Sequence, residues 1–142
     1  MKYETIIAVC GVANKGKSRT IKIVYSLLKK VYPTAIVEEL HIGVDITVVM
    51  TIDDVKVGIE SQGDPNSRLF KNLDRFVKIG CKVIVCATRS RGATVEAVNS
   101  LAGEFRIEWF PKVSISSASE HEAANRSDAQ QIVAAVQAAI DA

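Results

Sequence analysis

The stretch that decides the fold is Ile6-Ile7-Ala8-Val9-Cys10-Gly11-Val12-Ala13-Asn14-Lys15-Gly16-Lys17-Ser18. Its first five residues are apolar and suit a buried strand, and a helical pattern follows from Arg19 to Tyr32. Between them, Gly11 and Gly16 let the backbone curl so that successive N–H groups converge on one anion. The first turn of the helix adds unpaired N–H groups and the positive end of its dipole. The stretch therefore predicts a strand, a phosphate-binding loop and a helix.

The same loop supplies candidate ligands for a phosphate chain and its metal ion. Lys17 brings a mobile positive charge to the β- and γ-phosphates of a nucleotide, and Ser18 offers a hydroxyl to Mg²⁺. We therefore expect a bound nucleoside triphosphate, ATP or another, together with Mg²⁺. The expected nucleotide-binding residues are Gly11, Val12, Ala13, Asn14, Lys15, Gly16, Lys17, Ser18 and Arg19.

Length and composition indicate one globular domain. A chain of 142 residues suffices for a single core, so we assign residues 1–142 to one domain. Hydrophobic residues make up 48% and charged residues 24%, as in ordinary globular proteins. No apolar run reaches membrane-spanning length and the N-terminus does not resemble a signal peptide, so we expect a cytoplasmic protein without membrane contact. The net charge of +2 does not by itself predict nucleic-acid binding.

Strand-like and helix-like patterns alternate along the chain, which predicts an α/β fold. We expect three layers, with a mainly parallel sheet, helices on both faces and one antiparallel strand from a hairpin at Asp53-Asp54. The predicted helices cover Arg19–Tyr32, a segment from near Ser67 to Gly80, Ala93–Ala102, and a last one from a capping box at Ser127. Ala35–Leu40 is predicted as a short strand or an extended segment, and the further predicted strands are Asp45–Ile52, Val55–Ser61, Cys81–Ala87 and one within Phe105–Ser116.

Ligands of such sheets bind at the carboxyl ends of the parallel strands. Three loops follow predicted strands there, namely residues 11–18, 61–66 and 88–92. We expect the functional site to be built from these three loops.

The motif G-x-x-x-x-G-K-S at Gly11–Ser18 resembles the phosphate loop of the P-loop NTPase superfamily, which implies a three-layer P-loop fold over the whole chain. With Asn14 inside it, the loop looks like that of potassium-dependent GTPases, in which the matching Asn helps to bind a monovalent cation. Glu60-Ser61-Gln62-Gly63 is similar to the D-x-x-G of small GTPases, with Glu in place of Asp. The guanine-reading N-K-x-D is absent, and Trp109-Phe110-Pro111-Lys112-Val113-Ser114 does not replace it.

The chain also resembles small bacterial and phage P-loop proteins that have a G-D-containing second loop and a T-R-rich third loop. That group brings no assigned reaction. The resemblance supports an NTPase and favours adenine, because base contacts in most ATP sites are loose.

Two acidic residues in or near the second loop are candidates for binding Mg²⁺ or orienting the attacking water, namely Glu60 and Asp64. For Asp64 the alternative is a helix N-terminal residue before Pro65, favoured by the helix dipole. For Glu60 the alternative is a solvated strand residue. We expect at least one of the two to serve the metal.

Arg89 and Arg91 in the third loop are candidates for stabilising charge on the transferring phosphate, because guanidinium groups do this in phosphoryl transfer. Their alternative is a pair of solvent-exposed loop residues. Thr88 and Thr94 are candidates for orienting water or for capping the next helix, and we favour capping.

Other conspicuous residues have ordinary interpretations. A basic stripe at Arg68, Lys71, Arg75 and Lys78 suits a solvated face, with an acidic protein or a nucleic-acid backbone as the alternative. Trp109 is most simply a core residue, with base stacking as the alternative. The cysteines, Cys10, Cys81 and Cys86, lie in or beside apolar runs without a C-x-x-C, which indicates reduced core thiols.

The function that these features favour is a Mg-ATP-dependent NTPase in which Lys17, Glu60 or Asp64, and Arg89 or Arg91 carry the chemistry. A small phosphotransferase (kinase), a GTPase and a non-catalytic nucleotide-dependent interaction module stay open as alternatives. The last of these would require a protein partner.

Overall fold

A computed structural model of the chain describes residues 4–11, 16–62, 69–112 and 118–141. Within them, strands and helices follow one another in the order that the sequence predicts, with three consecutive strands after the first helix. The elements are β1 Glu4–Cys10, α1 Lys17–Val31, β2 Ile36–Ile42, β3 Ile46–Ile52, β4 Val55–Glu60, α2 Leu69–Ile79, β5 Val83–Thr88, α3 Ala93–Asn99, β6 Phe105–Pro111 and α4 Ala118–Asp141.

The strands form one mixed sheet in the order β2-β3-β4-β5-β1-β6. Strand β3 pairs antiparallel with both β2 and β4, whereas the β4–β5, β5–β1 and β1–β6 pairs are parallel. The α/β class with a mainly parallel sheet is therefore confirmed. Because β3 runs opposite to its neighbours, its first residues lie at the same edge of the sheet as the carboxyl ends of the parallel strands.

Helices cover both faces of the sheet. Ile7 and Val9 of β1 face a core that α1 and α4 complete, while Ile6 and Ala8 face a second core formed with α2 and α3. Successive side chains of a strand point to opposite faces, so a central strand needs apolar residues at every position. Burying each large aliphatic side chain contributes roughly 1.5–3 kcal/mol to stability. The two cores explain why the part of β1 from Ile6 to Cys10 is an unbroken apolar run.

The predicted hairpin is confirmed at Asp53 and Asp54, which connect β3 to β4. Both residues have positive φ angles, 48° and 69°. Two successive residues with left-handed backbone conformation form the type of turn whose twist suits a two-residue hairpin. Asp tolerates the left-handed region of backbone angles better than most residues.

Two sequence predictions about the C-terminal part of the chain are wrong. Trp109 is not a core residue, since it is 39% exposed. The reason is that β6 is an edge strand, with β1 as its neighbour in the described sheet. Helix α4 begins at Ala118, not at Ser127. Its apolar face starts only near Ala129, so its first turns look polar although Ala and Glu favour helix.

Two of the three cysteines lie in the core as expected, whereas Cys10 is only half-buried. Cys81 and Cys86 are buried, and all three cysteines are free thiols. Burial raises the pKa of Cys81 to about 11 and that of Cys86 to about 12. Of the basic stripe, Lys71, Arg75 and Lys78 are exposed on α2, and Arg68 lies outside the described residues. None of the helices, as far as the structure describes them, combines the length and hydropathy that a bilayer crossing requires.

Candidate functional site

The two glycines that bracket the predicted phosphate loop lie at the end of β1 and immediately before α1. Gly16 has a left-handed backbone, with φ 81° and ψ 12°. A Cβ atom on Gly16 would lie 2.6 Å from Oδ1 of Asn125 on α4. Backbone conformation and space therefore both require glycine there. The residues between, namely Val12, Ala13, Asn14 and Lys15, lie outside the described part of the chain.

The side chain of Lys17 joins the ends of two neighbouring strands. Lys17 is only 7% exposed, and its Nζ donates to the carbonyl oxygens of Gly11 at 2.6 Å and Thr88 at 2.7 Å. Thr88 ends β5, which is the neighbour of β1 in the sheet. The ammonium group is thus held by neutral oxygen atoms at the carboxyl edge, where an anionic ligand of an α/β sheet binds.

Ser18 meets a carboxylate that the sequence prediction missed. Its Oγ donates to Oδ1 of Asp45 at 2.7 Å, and Oγ of Ser61 donates to the same oxygen at 2.8 Å. The N–H of Ile46 donates in turn to Ser61 Oγ at 2.9 Å. The sequence pattern predicts Asp45 only as the first residue of a strand. The signal that finds it is topological, because the start of an antiparallel strand lies beside the ends of its parallel neighbours.

Glu60 lies on the other face of the sheet, within a fully satisfied polar cluster. It is 0% exposed, which excludes the solvated-strand interpretation. Its Oε1 accepts hydrogen bonds from Thr47 Oγ1 at 2.7 Å and Asn72 Nδ2 at 2.6 Å, and its Oε2 accepts one from the N–H of Gln62 at 3.0 Å. These contacts run to β3, α2 and the second loop. The carboxylate that the structure brings to Ser18 is that of Asp45, while Asp64 lies outside the described residues.

Strand order decides which loop flanks the predicted phosphate loop. Strand β5 lies between β1 and β4, so the end of β4 is two strand spacings, or about 10 Å, away from β1. The loop after β5 is its immediate neighbour and contains both candidate arginines. Arg89 is half-buried and Arg91 is exposed. The backbone N–H of Arg89 donates to Thr94 Oγ1 at 2.9 Å, so Thr94 fastens this loop to the start of α3.

Two buried polar atoms at this edge have no hydrogen-bond partner among the described residues, namely Thr88 Oγ1 and Gln62 Oε1. Thr88 is 0% exposed and Gln62 is half-buried. A buried polar atom without a partner costs about 1–3 kcal/mol, so such atoms are rare in folded proteins. Thr88 ends β5 and Gln62 lies two residues beyond β4, and a polar ligand or an ordered water at this edge would satisfy both atoms.

A second buried cluster lies beside the start of α1, on the side of α4. The Lys112 side chain is 2% exposed, and its Nζ donates to Asn125 Oδ1 at 2.8 Å and to Asp128 Oδ2 at 2.6 Å. Thr20 Oγ1 donates to the same Asn125 oxygen at 3.2 Å. Since Asn125 also contacts Gly16, the cluster ties β6 and α4 to the start of α1. A lysine directly after an apolar strand is the only sequence signal for it.

Arg19, the last of the predicted nucleotide-binding residues, points toward α4. Its guanidinium group pairs with Glu122 at 2.9 Å, and both side chains are about half exposed, 55% and 43%. The hydrogen bond and charge of Arg19 lower the pKa of Glu122. An exposed pair of this kind contributes little to stability. The pair spans the crevice between α1 and α4.

The described residues contain no group of three or more His, Cys, Asp or Glu side chains that could hold a metal ion alone. Mg²⁺ in phosphate sites needs less protein, since it keeps waters and takes one or two protein ligands in addition to phosphate oxygens. Ser18 and Asp45 fit that role because their oxygens already lie 2.7 Å apart.

In comparisons with known proteins, the chain matched no family model, no curated protein and no solved structure. What can be said of its function therefore rests on its own residues.

Proposed function

We propose that this chain is a P-loop protein that binds a nucleoside triphosphate with Mg²⁺, ATP by preference, and hydrolyses its terminal phosphate. One observation carries the proposal. The motif Gly11–Ser18 ends at a sheet edge where the Lys17 ammonium is buried against two carbonyl oxygens and the buried Thr88 hydroxyl has no described partner. A buried ammonium, hydrogen-bond donors and a buried hydroxyl without a described partner thus lie at one edge of the sheet. Such a set of groups suits a polyanion and a water molecule.

Binding begins with the loop and with α1. The N-terminus of α1 would face the phosphates, and Lys17 would exchange its carbonyl partners for phosphate oxygens. The exchange is favourable because phosphate oxygens carry negative charge and add a Coulomb attraction to the ammonium that neutral carbonyl oxygens do not give. Ser18 and Asp45 would hold Mg²⁺, which would neutralise charge on the phosphate chain. Asp64 stays a further candidate for this metal.

The hydrolytic step needs an oriented water and a cation near the terminal phosphate. Thr88 Oγ1 and Gln62 Oε1 supply oxygen atoms that can hold the water, since both lack described partners. Glu60 lies two residues before Gln62 and acts by fixing the backbone N–H of Gln62. Arg89 or Arg91, in the loop beside β1, stabilises the charge that develops on the transferring group. Alanine in place of the responsible arginine lowers turnover more than affinity, and Lys does not rescue a bidentate role.

The preference for ATP follows from the lack of N-K-x-D, because no sequence element supplies a carboxylate for the guanine edge. We expect ATP to bind at least as tightly as GTP in calorimetric titrations. A preference for GTP beyond about tenfold would favour the GTPase alternative.

A thermal-shift assay tests the binding. At a hundredfold excess over Kd, Mg-ATP adds about 2.7 kcal/mol to stability and raises Tm on the order of 5 °C. Lys17→Ala removes most of that shift. Lys30→Ala is the matched control, because it deletes an exposed lysine on the same helix and leaves the shift intact.

Phosphate release from Mg-ATP then separates a hydrolase from a module that binds without turnover. Equal stabilisation of the wild type and Lys17→Ala would contradict the proposed role of Lys17. Binding without phosphate release would retain the phosphate site but favour the interaction module.

A further inference from the structure

A shallow cleft lies beside the phosphate loop on the face of the sheet that α3 covers. Its volume is about 380 Å³, and it is lined by Cys10, Ser90, Val95, Asn99 and Trp109. Trp109 forms one wall and is 39% exposed, although a large aromatic side chain on a strand is usually well covered. Val95 and Asn99 come from α3, one turn apart on the same side of the helix.

The peptide bond between Cys10 and Gly11 joins the cleft to the proposed phosphate loop. Cys10 lines the cleft and is followed by Gly11, whose N–H donates to the Thr88 carbonyl at 3.2 Å. That same carbonyl accepts from Lys17 Nζ, and Ser90 follows Thr88 by two residues. Trp109 pairs with Ala8 in the parallel register, which places it about 7 Å along the strands from the level of Cys10. A ligand held by the phosphate loop can therefore extend directly into the cleft.

The lining suits a planar, uncharged, nitrogen-containing ring. Trp109 offers an aromatic face and Val95 an apolar one, while the Asn99 amide presents both a donor and an acceptor. None of the five lining residues is Asp, Glu, Lys or Arg. Burial raises the pKa of the Cys10 thiol, so the thiol stays uncharged beside the phosphate chain. Stacking on an indole with an amide at the ring edge is the chemistry by which proteins hold a nucleobase.

We infer that this cleft binds the base of the nucleotide whose phosphates occupy residues 11–18, with Trp109 stacking on the ring and Asn99 contacting its edge. The inference rests on the proposed function for the phosphate site. It adds a base-binding residue to a chain that lacks the guanine-reading motif, and it gives the exposed Trp109 a role. The amide of Asn99 matches adenine, whose adjacent donor and acceptor pair with Asn or Gln.

Trp109 is the sole tryptophan of the chain, so its fluorescence reports on the cleft directly. Three probes are compared in the presence of Mg²⁺: ATP, inorganic triphosphate and adenosine. ATP and adenosine quench the fluorescence, whereas triphosphate raises Tm without quenching. Calorimetry on variants completes the test. Trp109→Ala weakens ATP about tenfold and leaves triphosphate affinity unchanged, and Trp109→Phe retains most of the ATP affinity because it keeps a stacking face.

The outcomes distinguish the two proposals. If triphosphate binds but ATP and adenosine do not quench, and Trp109→Ala binds ATP like the wild type, the base site is overturned and the phosphate site stands. If adenosine quenches while triphosphate gives no thermal shift, the cleft binds a base and the proposed phosphate site is overturned. If none of the three probes binds, both proposals fall together.

Discussion

Ser18 and Asp45 are 27 positions apart in the sequence, and their side chains are joined by a hydrogen bond of 2.7 Å. Asp45 precedes β3, the strand that runs opposite to its neighbours, and this direction brings it to the edge where α1 begins. Ser61 at the end of β4 donates to the same carboxylate oxygen. Three elements thus converge on one oxygen atom at the first turn of α1. The arrangement makes Asp45 the acidic partner of the motif serine.

We predict that Asp45→Asn weakens Mg-dependent nucleotide binding. An amide oxygen is a poorer ligand for Mg²⁺ than a carboxylate, so affinity for Mg-ATP should fall about tenfold or more, or roughly 1.4 kcal/mol. In EDTA the same variant should bind ATP as well as the wild type or slightly more tightly, because a negative charge near the phosphates is gone. Calorimetry in both buffers measures the difference.

Asp74→Asn is the control for this prediction, since Asp74 is exposed on α2 and forms an i,i+4 pair with Lys78. It should leave both affinities unchanged. Equal losses for Asp45→Asn with and without Mg²⁺ would mean that Asp45 shapes the loop and does not serve the metal.

For Glu60 we predict a loss of stability in Glu60→Gln. The Gln amide nitrogen would have to face a donor, either the N–H of Gln62 or the groups of Thr47 and Asn72 that now donate to the carboxylate. Such a mismatch at a buried position costs about 1–3 kcal/mol, measured by urea unfolding. Glu96→Gln on the exposed side of α3 should change stability by less than about 0.5 kcal/mol. Unchanged stability together with lost Mg²⁺ dependence would instead restore Glu60 as a metal ligand.

The α/β class can be predicted because local patterns encode it. Apolar runs such as Ile6–Val9 are typical of strands buried on both faces, and glycines mark the ends of elements. Strand order is a different kind of information. The insertion of β5 between β1 and β4 depends on which strands pair, and no local pattern of residues specifies that. For the same reason, local sequence does not predict the exposure of Trp109, which follows from the position of β6 at the edge of the sheet.

The residues of the candidate site divide in the same way, into those that a local motif predicts and those that strand pairing brings together. The loop residues from Gly11 to Ser18 form a contiguous motif, so the sequence alone proposes them. Asp45, Thr88 and Lys112 acquire their contacts only through strand order and strand direction, and they are single residues without a motif around them. Glu60 is the opposite case. Its position at a strand end favours a role as metal ligand, while its described hydrogen bonds belong to a buried polar cluster.

A matched pair of glycine substitutions should separate backbone strain from a steric clash. Gly16 and Gly80 both have positive φ angles, 81° and 93°. Gly80→Ala should cost about 1–2 kcal/mol from the left-handed backbone alone, because a Cβ there would meet nothing within 4 Å. Gly16→Ala should cost more, since its Cβ would also displace Asn125, and it alone should reduce the thermal shift given by Mg-ATP. If the two variants lost equal stability, α4 would make room for the new Cβ at position 16 without a cost in free energy.

Lys112 provides the last prediction, because it connects the end of β6 to α4 and through Asn125 to Gly16. Lys112→Met leaves Asp128 without its cation, and since Asp128 is 23% exposed we expect a loss near 2–3 kcal/mol, below that of a fully buried pair. Lys82→Met, which breaks an exposed pair with Glu4, should cost less than about 1 kcal/mol. If the cluster also positions the phosphate loop, Lys112→Met lowers affinity for inorganic triphosphate at a temperature where the variant is folded, whereas Lys82→Met does not. Unchanged affinity would confine Lys112 to a structural role.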